Sequence, residues 1–387
     1  MINVHCLNNI SESGLSMFSE QYNKEASYEE AQAVLVRSAK MHDMELGKDL
    51  LAIARAGAGV NNIPLDKCAD AGVVVFNTPG ANANAVKEQV LAAMLLASRD
   101  LIGGAEWVSD NAGDPDIAKT AEKAKKAFSG RELKGKKLGV IGLGAIGRLV
   151  ANACVELGME VYGYDPYLSV AAAWNISRKV NHIDNVDDIY RDCDYITIHV
   201  PALDSTKGMI GKEAFAIMKP GAVIINCARD IIVDEEELLK AIDDRIISKY
   251  VTDFANPTVV GKEHIIVFPH LGASTQEAEE NCAAMAVKEV RDFIENGNIL
   301  NSVNYPACDM GICQAQGRVS ICHKNAPGIL GKITAVVGEA GVNIADLTNK
   351  SRGDYAYTLI DIDVAADDSL AEKLSAVDGI IKVRVVK

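Results

Sequence analysis

A chain of 387 residues is long enough for two or three domains with cores of their own. A hydrophobic share of 49% and a charged share of 24% are ordinary for globular domains, and a net charge of −14 argues against nucleic acid or an anionic membrane as the main partner. It leaves room for an anionic substrate in a local basic pocket. The longest apolar runs, such as LAAMLLA (91–97), are far too short to span a bilayer. The start, MINVHCLNN, lacks the basic and apolar regions of a secretory leader. Nine scattered cysteines predict reduced, mostly buried thiols in a cytoplasmic protein.

In chain order, AVLVRS (33–38), LAIARAG (51–57) and VVVFN (73–77) are apolar runs of strand length ending in Ser, Gly or Asn. Their spacing by helical segments implies βαβ units and a parallel sheet. ANANAVKEQVLAAMLLASRDL (81–101) predicts a helix apolar enough to be buried or to lie in an oligomer interface. The polar, lysine-rich stretch 109–136 reads as a solvated connection. A second βα series follows, with KLGVI (137–141), EVYGYD (160–165), DYITIHV (194–200), GAVIINCA (221–228), ISKYVTDF (247–254) and HIIVF (264–268) as strands. A helix is predicted over 275–297. Residues 298–317 have no periodicity and read as a linker. The tail orders as strand, helix, strand, strand, helix, strand, which is the ferredoxin-like βαββαβ pattern.

KKLGVIGLGAIG places Gly142, Gly144 and Gly147 directly after a strand and at the opening of a helix. The first glycine permits the tight turn, the second lets a pyrophosphate approach the backbone, and the third allows helix and strand to pack closely. The helix N-terminus offers free N–H groups to the phosphates. Asp165 ends the next strand, where a carboxylate accepts both ribose hydroxyls and repels a 2′-phosphate. That selects NAD over NADP. Because a βα region precedes this unit, the expected architecture is a Rossmann-type NAD domain inserted into a split flavodoxin-like substrate domain, with a cleft between them. The expected bounds are 1–98 and 271–305 for the substrate domain, 99–270 for the NAD domain, 306–317 for a linker and 318–387 for the ferredoxin-like tail.

Hydride exchange with a 2-hydroxy acid needs a cation for the carboxylate and a proton carrier for the hydroxyl. INCARD (225–230) places Arg229, and PHLGAST (269–275) places His270, just past strand ends on one sheet edge. With GLGAIG, Asp165 and TDF, these strongly resemble the NAD-dependent D-2-hydroxyacid dehydrogenases over roughly residues 35–305. RAGAGVNNI (55–63) and NTPGAN (77–82) extend the match. The resemblance implies that Arg229 orients and activates the substrate and that His270 is the acid/base. It implies cofactor contacts from Thr78, Gly142, Gly144, Ala145, Ile146, Gly147, Asp165, Val200, Cys227, Ala228, Arg229, Asp253, His270, Gly272 and Ala273. Backbone of Ala58, Gly59 and Val60 would take the substrate carboxylate, with Arg55 nearby. His199 reads as a packed residue beside the cofactor.

The family carries a glutamate a few residues after the aspartate, as partner to the histidine. Here the stretch is DFANPTVV, with Asn256 and Pro257 in that place. Three readings stay open: Asn256 orients the imidazole, Glu263 or Glu277 supplies the charge, or His270 works unpartnered.

In the tail, ICHKNAPGILGKI (321–333) and AGVNIADL (340–347) resemble the ACT domain, an amino-acid-sensing module. By that resemblance His323, Asn325 and Asn343 match positions that bind serine, and edge-to-edge pairing of two copies would give a homodimer or homotetramer. A dehydrogenase of this family with such a tail implies 3-phosphoglycerate as substrate and L-serine as effector. Arg55, with Arg131 or Lys134 from a second subunit, are the cations expected for the phosphate. Alternatives are a hydroxypyruvate or glyoxylate reductase, and a non-catalytic NAD sensor. Cys308, Cys313, Cys322 and His323 cluster in sequence without zinc-site spacing, so no metal is expected.

Overall fold

The computed structural model describes residues 1–170 and 172–387, and the chain divides into two compact units, 1–82 with 276–387 and 83–275. In the first unit, β1 (Ile2–Cys6), β2 (Tyr22–Asn23), β3 (Ala33–Val36), β4 (Ala52–Arg55) and β5 (Val74–Asn77) form a parallel sheet in the order β2-β1-β3-β4-β5. This is the flavodoxin-like order. Every residue of β3 is buried, as expected of a strand covered on both faces. The helix Gln276–Asn296 covers one face, packing Ala283, Ala286, Val287 and Val290 against Ala33, Leu35, Ala52 and Ala54.

In the second unit, β6 (Lys137–Ile141), β7 (Glu160–Tyr164), β8 (Asn181–His182), β9 (Tyr195–Ile198), β10 (Ala222–Asn226), β11 (Ile247–Thr252) and β12 (Ile265–Val267) form a parallel sheet ordered β12-β11-β10-β9-β6-β7-β8. The chain reverses direction across the sheet between β6 and β9, which opens the ligand crevice of doubly wound folds at that point.

The helix Ala83–Ser98 belongs to this second unit. Its Val86, Val90, Ala93 and Met94 share a core with Leu138, Val140, Val150 and Ala151. The division therefore falls at 82/83 instead of 98/99, and the chain re-enters the first unit at 276 instead of 271. Part of the stretch expected as a plain connection is helical, over Ile117–Ala124, and no residue of that helix is buried.

The tail forms a third, antiparallel sheet of β13 (Gly317–Lys324), β14 (Ile344–Arg352), β15 (Tyr355–Ile362) and β16 (Ile380–Val385), ordered β14-β15-β13-β16. The helices Ile329–Glu339 and Asp368–Ser375 cover one face, where Ile333, Val337, Leu370 and Leu374 meet Val319, Ile321, Ile360 and Ile362. The tail is not a separate body. Cys322, Tyr357 and Leu359 join the core of the first parallel sheet with Phe293 and Tyr305. Three tail side chains close the end of the helix Gln276–Asn296: Arg384 donates to the carbonyls of Phe293 (2.6 Å) and Ile294 (2.8 Å), Arg318 to that of Asn296 (2.9 Å), and the Tyr357 hydroxyl to that of Gly297 (2.7 Å). Guanidinium groups there satisfy carbonyls that a helix leaves open and suit its negative end.

The expected linker is likewise part of this body. Ile299 bridges Cys308, Ser302 bridges Phe76, and buried Asn304 exchanges hydrogen bonds with the backbone of Val75 and Val73. Among the described residues no helix is long and apolar enough to cross a membrane.

Candidate active site

The strand ends of the second sheet carry the site. Gly142 follows β6 with φ +90°, and a side chain there would meet the His199 carbonyl at 2.6 Å and Val200 at 3.0 Å. At Gly147, the first residue of the helix Gly147–Glu156, a Cβ would overlap the Gly142 carbonyl. Gly144 differs: a Cβ there meets nothing within 4 Å. Two glycines are required by packing and the middle one faces open space, as a site for an approaching pyrophosphate demands. Ala145 and Ile146 complete the turn, with Ile146 at the helix N-cap. Past β7, Asp165 takes the Leu143 amide on Oδ2 and the Tyr167 amide on Oδ1, each at 2.9 Å. Both oxygens keep lone pairs for ribose hydroxyls. The residues present fit a dinucleotide.

Past β10, buried Asn226 shapes the next turn. Its Oδ1 accepts the Ala228 amide at 3.1 Å and its Nδ2 donates to the Arg229 carbonyl at 2.8 Å. Cys227 is buried, and burial pushes its thiol up to about 12, so it stays protonated at neutral pH. Arg229 itself is exposed at the edge.

Past β11 comes Asp253, only 1% exposed. Its carboxylate accepts the amides of Leu271 and Gly272 at 2.8 Å each, and its carbonyl accepts that of His270 at 3.0 Å. A Cβ at Gly272 would stand 3.0 Å from that carboxylate. Asp253 is thus the anchor of the loop that presents His270 and continues into Ala273. Phe254 then links the two reactive side chains. Its ring lies 5.0 Å from the His270 imidazole, edge to face, and 6.0 Å from the Arg229 guanidinium.

The missing glutamate leaves a visible trace. Asn256 Nδ2 donates to Glu235 Oε1 at 3.0 Å, while its Oδ1 accepts the Thr258 amide at 2.9 Å. Burial raises the Glu235 carboxyl, with the Asn256 hydrogen bond opposing it. Among the described residues no hydrogen bond reaches the His270 ring; Glu263 pairs with His264, and Glu277 lies in the other unit. Asn256 and Glu263 are thus engaged elsewhere, and the Phe254 ring packs against the imidazole. His199 bonds Thr197 Oγ1 at 2.9 Å, and burial pulls its pKa down to about 3, which makes it a neutral packed residue.

Residues 91–272 match the D-isomer specific 2-hydroxyacid dehydrogenase NAD binding domain, and residues 317–379 match the ACT domain. The D-3-phosphoglycerate dehydrogenase of Haemophilus influenzae is 30% identical over 354 residues, 89% of this chain and 83% of that one. Its namesake from Escherichia coli K12 is 31% identical over 87% of this chain and 82% of its own. The chain belongs to the D-2-hydroxyacid dehydrogenases. The crystal structure of the NAD+-bound 3-phosphoglycerate dehydrogenase of Entamoeba histolytica, 27% identical, superposes with a TM-score of 0.61 over 78% of this chain and 98% of that one. The chain is thus an NAD-dependent oxidoreductase with a C-terminal ACT domain.

The family's substrate loop lies past β4 in the first unit. Arg55 donates through Nε to the Arg37 carbonyl at 2.9 Å and through Nη1 to the Gly59 carbonyl. Asn77 Nδ2 donates to the Ala58 carbonyl at 2.5 Å, and the Thr78 amide to that of Gly57 at 3.1 Å. Arg55, Asn77 and fully buried Thr78 therefore shape the turn that carries Ala58, Gly59 and Val60. Arg131 and Lys134 precede β6 in sequence, where the Arg131 amide donates to the Ser98 carbonyl at 3.0 Å and the Gly135 amide to that of Gly158 at 2.8 Å.

In the ACT domain, His323 is 1% exposed. Its Nδ1 meets the Lys324 carbonyl at 2.8 Å and its Nε2 the Thr358 hydroxyl at 2.9 Å, and burial lowers its pKa. Within a single chain it braces the strand, bonded on both ring nitrogens. Asn325 and Asn343 are exposed. Asn325 Nδ2 holds the Gly353 carbonyl at 3.0 Å, and the Asn343 amide meets Asp363 at 3.3 Å.

Proposed function

We propose that this dehydrogenase oxidises 3-phospho-D-glycerate to 3-phosphooxypyruvate with NAD, the first step of L-serine synthesis. The observation that carries the reading is the alignment of relatives named D-3-phosphoglycerate dehydrogenase across both the catalytic region and the ACT domain, 89% of the chain for the Haemophilus influenzae protein. Bound NAD supplies the hydride acceptor. Arg229 grips the substrate carboxylate and draws electron density from the oxygen at C2. Backbone amides of Ala58–Val60 share the carboxylate. His270 takes the hydroxyl proton as the carbonyl forms, and its neutral imidazole is the active species in this direction. In reduction the protonated imidazole returns that proton to the oxygen at C2.

The reading extends to a homodimer or homotetramer and to L-serine as effector near Asn325 and Asn343. The test follows NADH at 340 nm with 3-phosphooxypyruvate, hydroxypyruvate and glyoxylate at equal concentration. A preference of about a hundredfold for the phosphorylated acid supports the proposal. Equal or better turnover of hydroxypyruvate or glyoxylate would make the chain a reductase of that kind. Absence of turnover with NAD still bound would make it a sensor. Calorimetric titration with L-serine tests the effector, and no heat of binding would remove it.

A further inference from the structure

The first unit holds a cavity of about 550 Å³ between the end of β5, the segment 300–307 and β14, the outer strand of the ACT sheet. Asn77, Asn301, Ser302, Lys350, Ser351 and Arg352 line it. Lys350 and Arg352 stand two residues apart on one strand, so both side chains leave the same face. Arg352 Nη1 donates to the Ser302 carbonyl at 2.8 Å, which pins the guanidinium to the wall and leaves its other N–H groups available. Among the described residues neither cation forms an ion pair with a carboxylate. In a chain of net charge −14, two uncompensated cations side by side on a cavity are a departure from the surrounding field.

The carboxylate behind this wall is muted. Glu289 is 5% exposed and accepts Asn301 Nδ2 at 2.6 Å. Burial pushes its pKa up to about 7, so part of the population carries no charge near neutrality.

From this arrangement we infer that the cavity binds a small anion through its phosphate or carboxylate group, held by Lys350 and Arg352. The wall continues into the substrate turn. Asn301 accepts the Asn77 amide at 3.3 Å, and Asn77 Nδ2 holds the Ala58 carbonyl at 2.5 Å. An anion ordering this wall acts on the turn assigned to the substrate carboxylate, and so shifts KM more than kcat. That second step rests on the proposed function; the binding step does not.

The test is calorimetric titration of the full chain with inorganic phosphate. Wild type is compared with the double variant Lys350→Ala/Arg352→Ala and, separately, with Arg229→Ala. Both cavity residues are exposed, and a cooperative melt checks the fold of the variant. Saturable binding that survives Arg229→Ala and weakens at least about tenfold in the double variant is the expected result. Equal binding by wild type and the double variant, or none by either, overturns it. Titrating 3-phosphoglycerate into Arg229→Ala assigns the source: tighter binding than phosphate points to a phosphorylated acid, equal binding to the phosphate group alone, and either supports the site. In the kinetic arm, phosphate shifts KM in wild type and not in the double variant. An unmoved KM in wild type removes the coupling. A lack of turnover under all conditions rejects the proposed function while the calorimetry still decides the site.

Discussion

The carbonyl of Asp253 accepts the amide of His270 at 3.0 Å, and His270 holds a left-handed φ of +57° in doing so. A residue with a side chain pays a strain of about 1–2 kcal/mol in that region. The carboxylate of the same aspartate, taking the next two amides, offsets it. The reactive histidine is therefore presented by a backbone that Asp253 holds at three points.

Asp253→Asn places an amide NH2 against a peptide N–H and leaves a buried donor unsatisfied, at about 1–3 kcal/mol. The expected outcome is a lower melting temperature together with a loss of kcat of about a hundredfold, the scale of an ångström of misplacement. A variant that melts and turns over like wild type would show that the loop holds itself.

The Phe254 ring packs beside both reactive side chains, while its amide donates to the Thr252 hydroxyl. Phe254→Ala is expected to lower kcat about tenfold, on the order of 1.4 kcal/mol in the barrier. The dissociation constant of NAD is expected to hold, since Asp165 and the glycine turn lie past other strands. Stopped-flow hydride transfer beside equilibrium NAD titration checks both halves. Equal loss in binding and rate would mean that the residue supports the whole edge.

Burial pushes the Glu289 carboxyl up to about 7, while in an unfolded chain it titrates near about 4.3. The folded state thus holds the proton more tightly. The contribution to stability is fully present below the unfolded value and is lost as pH rises through about 7, on the order of 3 kcal/mol. Glu289→Gln keeps an acceptor for Asn301 and removes the charge. Scanning calorimetry should show the variant more stable than wild type at pH 8 and nearly matched at pH 5. The same gain at both values would mean that charge is not the cause.

Arg318 is 1% exposed and meets Asp361 through Nε at 2.5 Å and Nη2 at 2.8 Å, besides the carbonyls of Asn296 and Gly311. Arg318→Ala strands a buried carboxylate, and about 3–5 kcal/mol of stability should go with it. Removing Asp361 as well should recover part of the loss. Denaturant melts of the two single variants and the double decide this, and simple additivity would refute the pairing.

Features that depend on neighbours in sequence were legible in it. The glycine turn, Asp165, and the placements of Arg229 and His270 each sit within a few residues of a strand whose apolar run marks it. Features that depend on distant chain were not. Glu235 lies on another element, 21 residues before Asn256, so nothing local pointed to it. Asp253 reads as a cofactor neighbour until its amide partners are seen. From Val90 to Ala97 the helix 83–98 is apolar on every side, so periodicity could not say which sheet it serves. The segment 298–317 looked like a linker because its buried residues, among them Asn298, Ile299, Asn304, Tyr305 and Cys308, follow no helical or strand period. MINVHC proved to hold a strand, and its short mixed run gave little alternation to read.

The closure of one helix end by Arg318, Tyr357 and Arg384 has a consequence for synthesis on the ribosome. Residues 1–82 share their core with chain that starts to emerge roughly 200 residues later, from Gln276 onward, a delay on the order of tens of seconds at ordinary rates of translation. The nucleotide-binding half, contiguous in sequence, can fold during that wait. The amino-terminal half cannot finish, and its first sheet stays in need of protection until the carboxy-terminal strands arrive. A stop codon before residue 318 would therefore yield an aggregating polypeptide and not an unregulated enzyme.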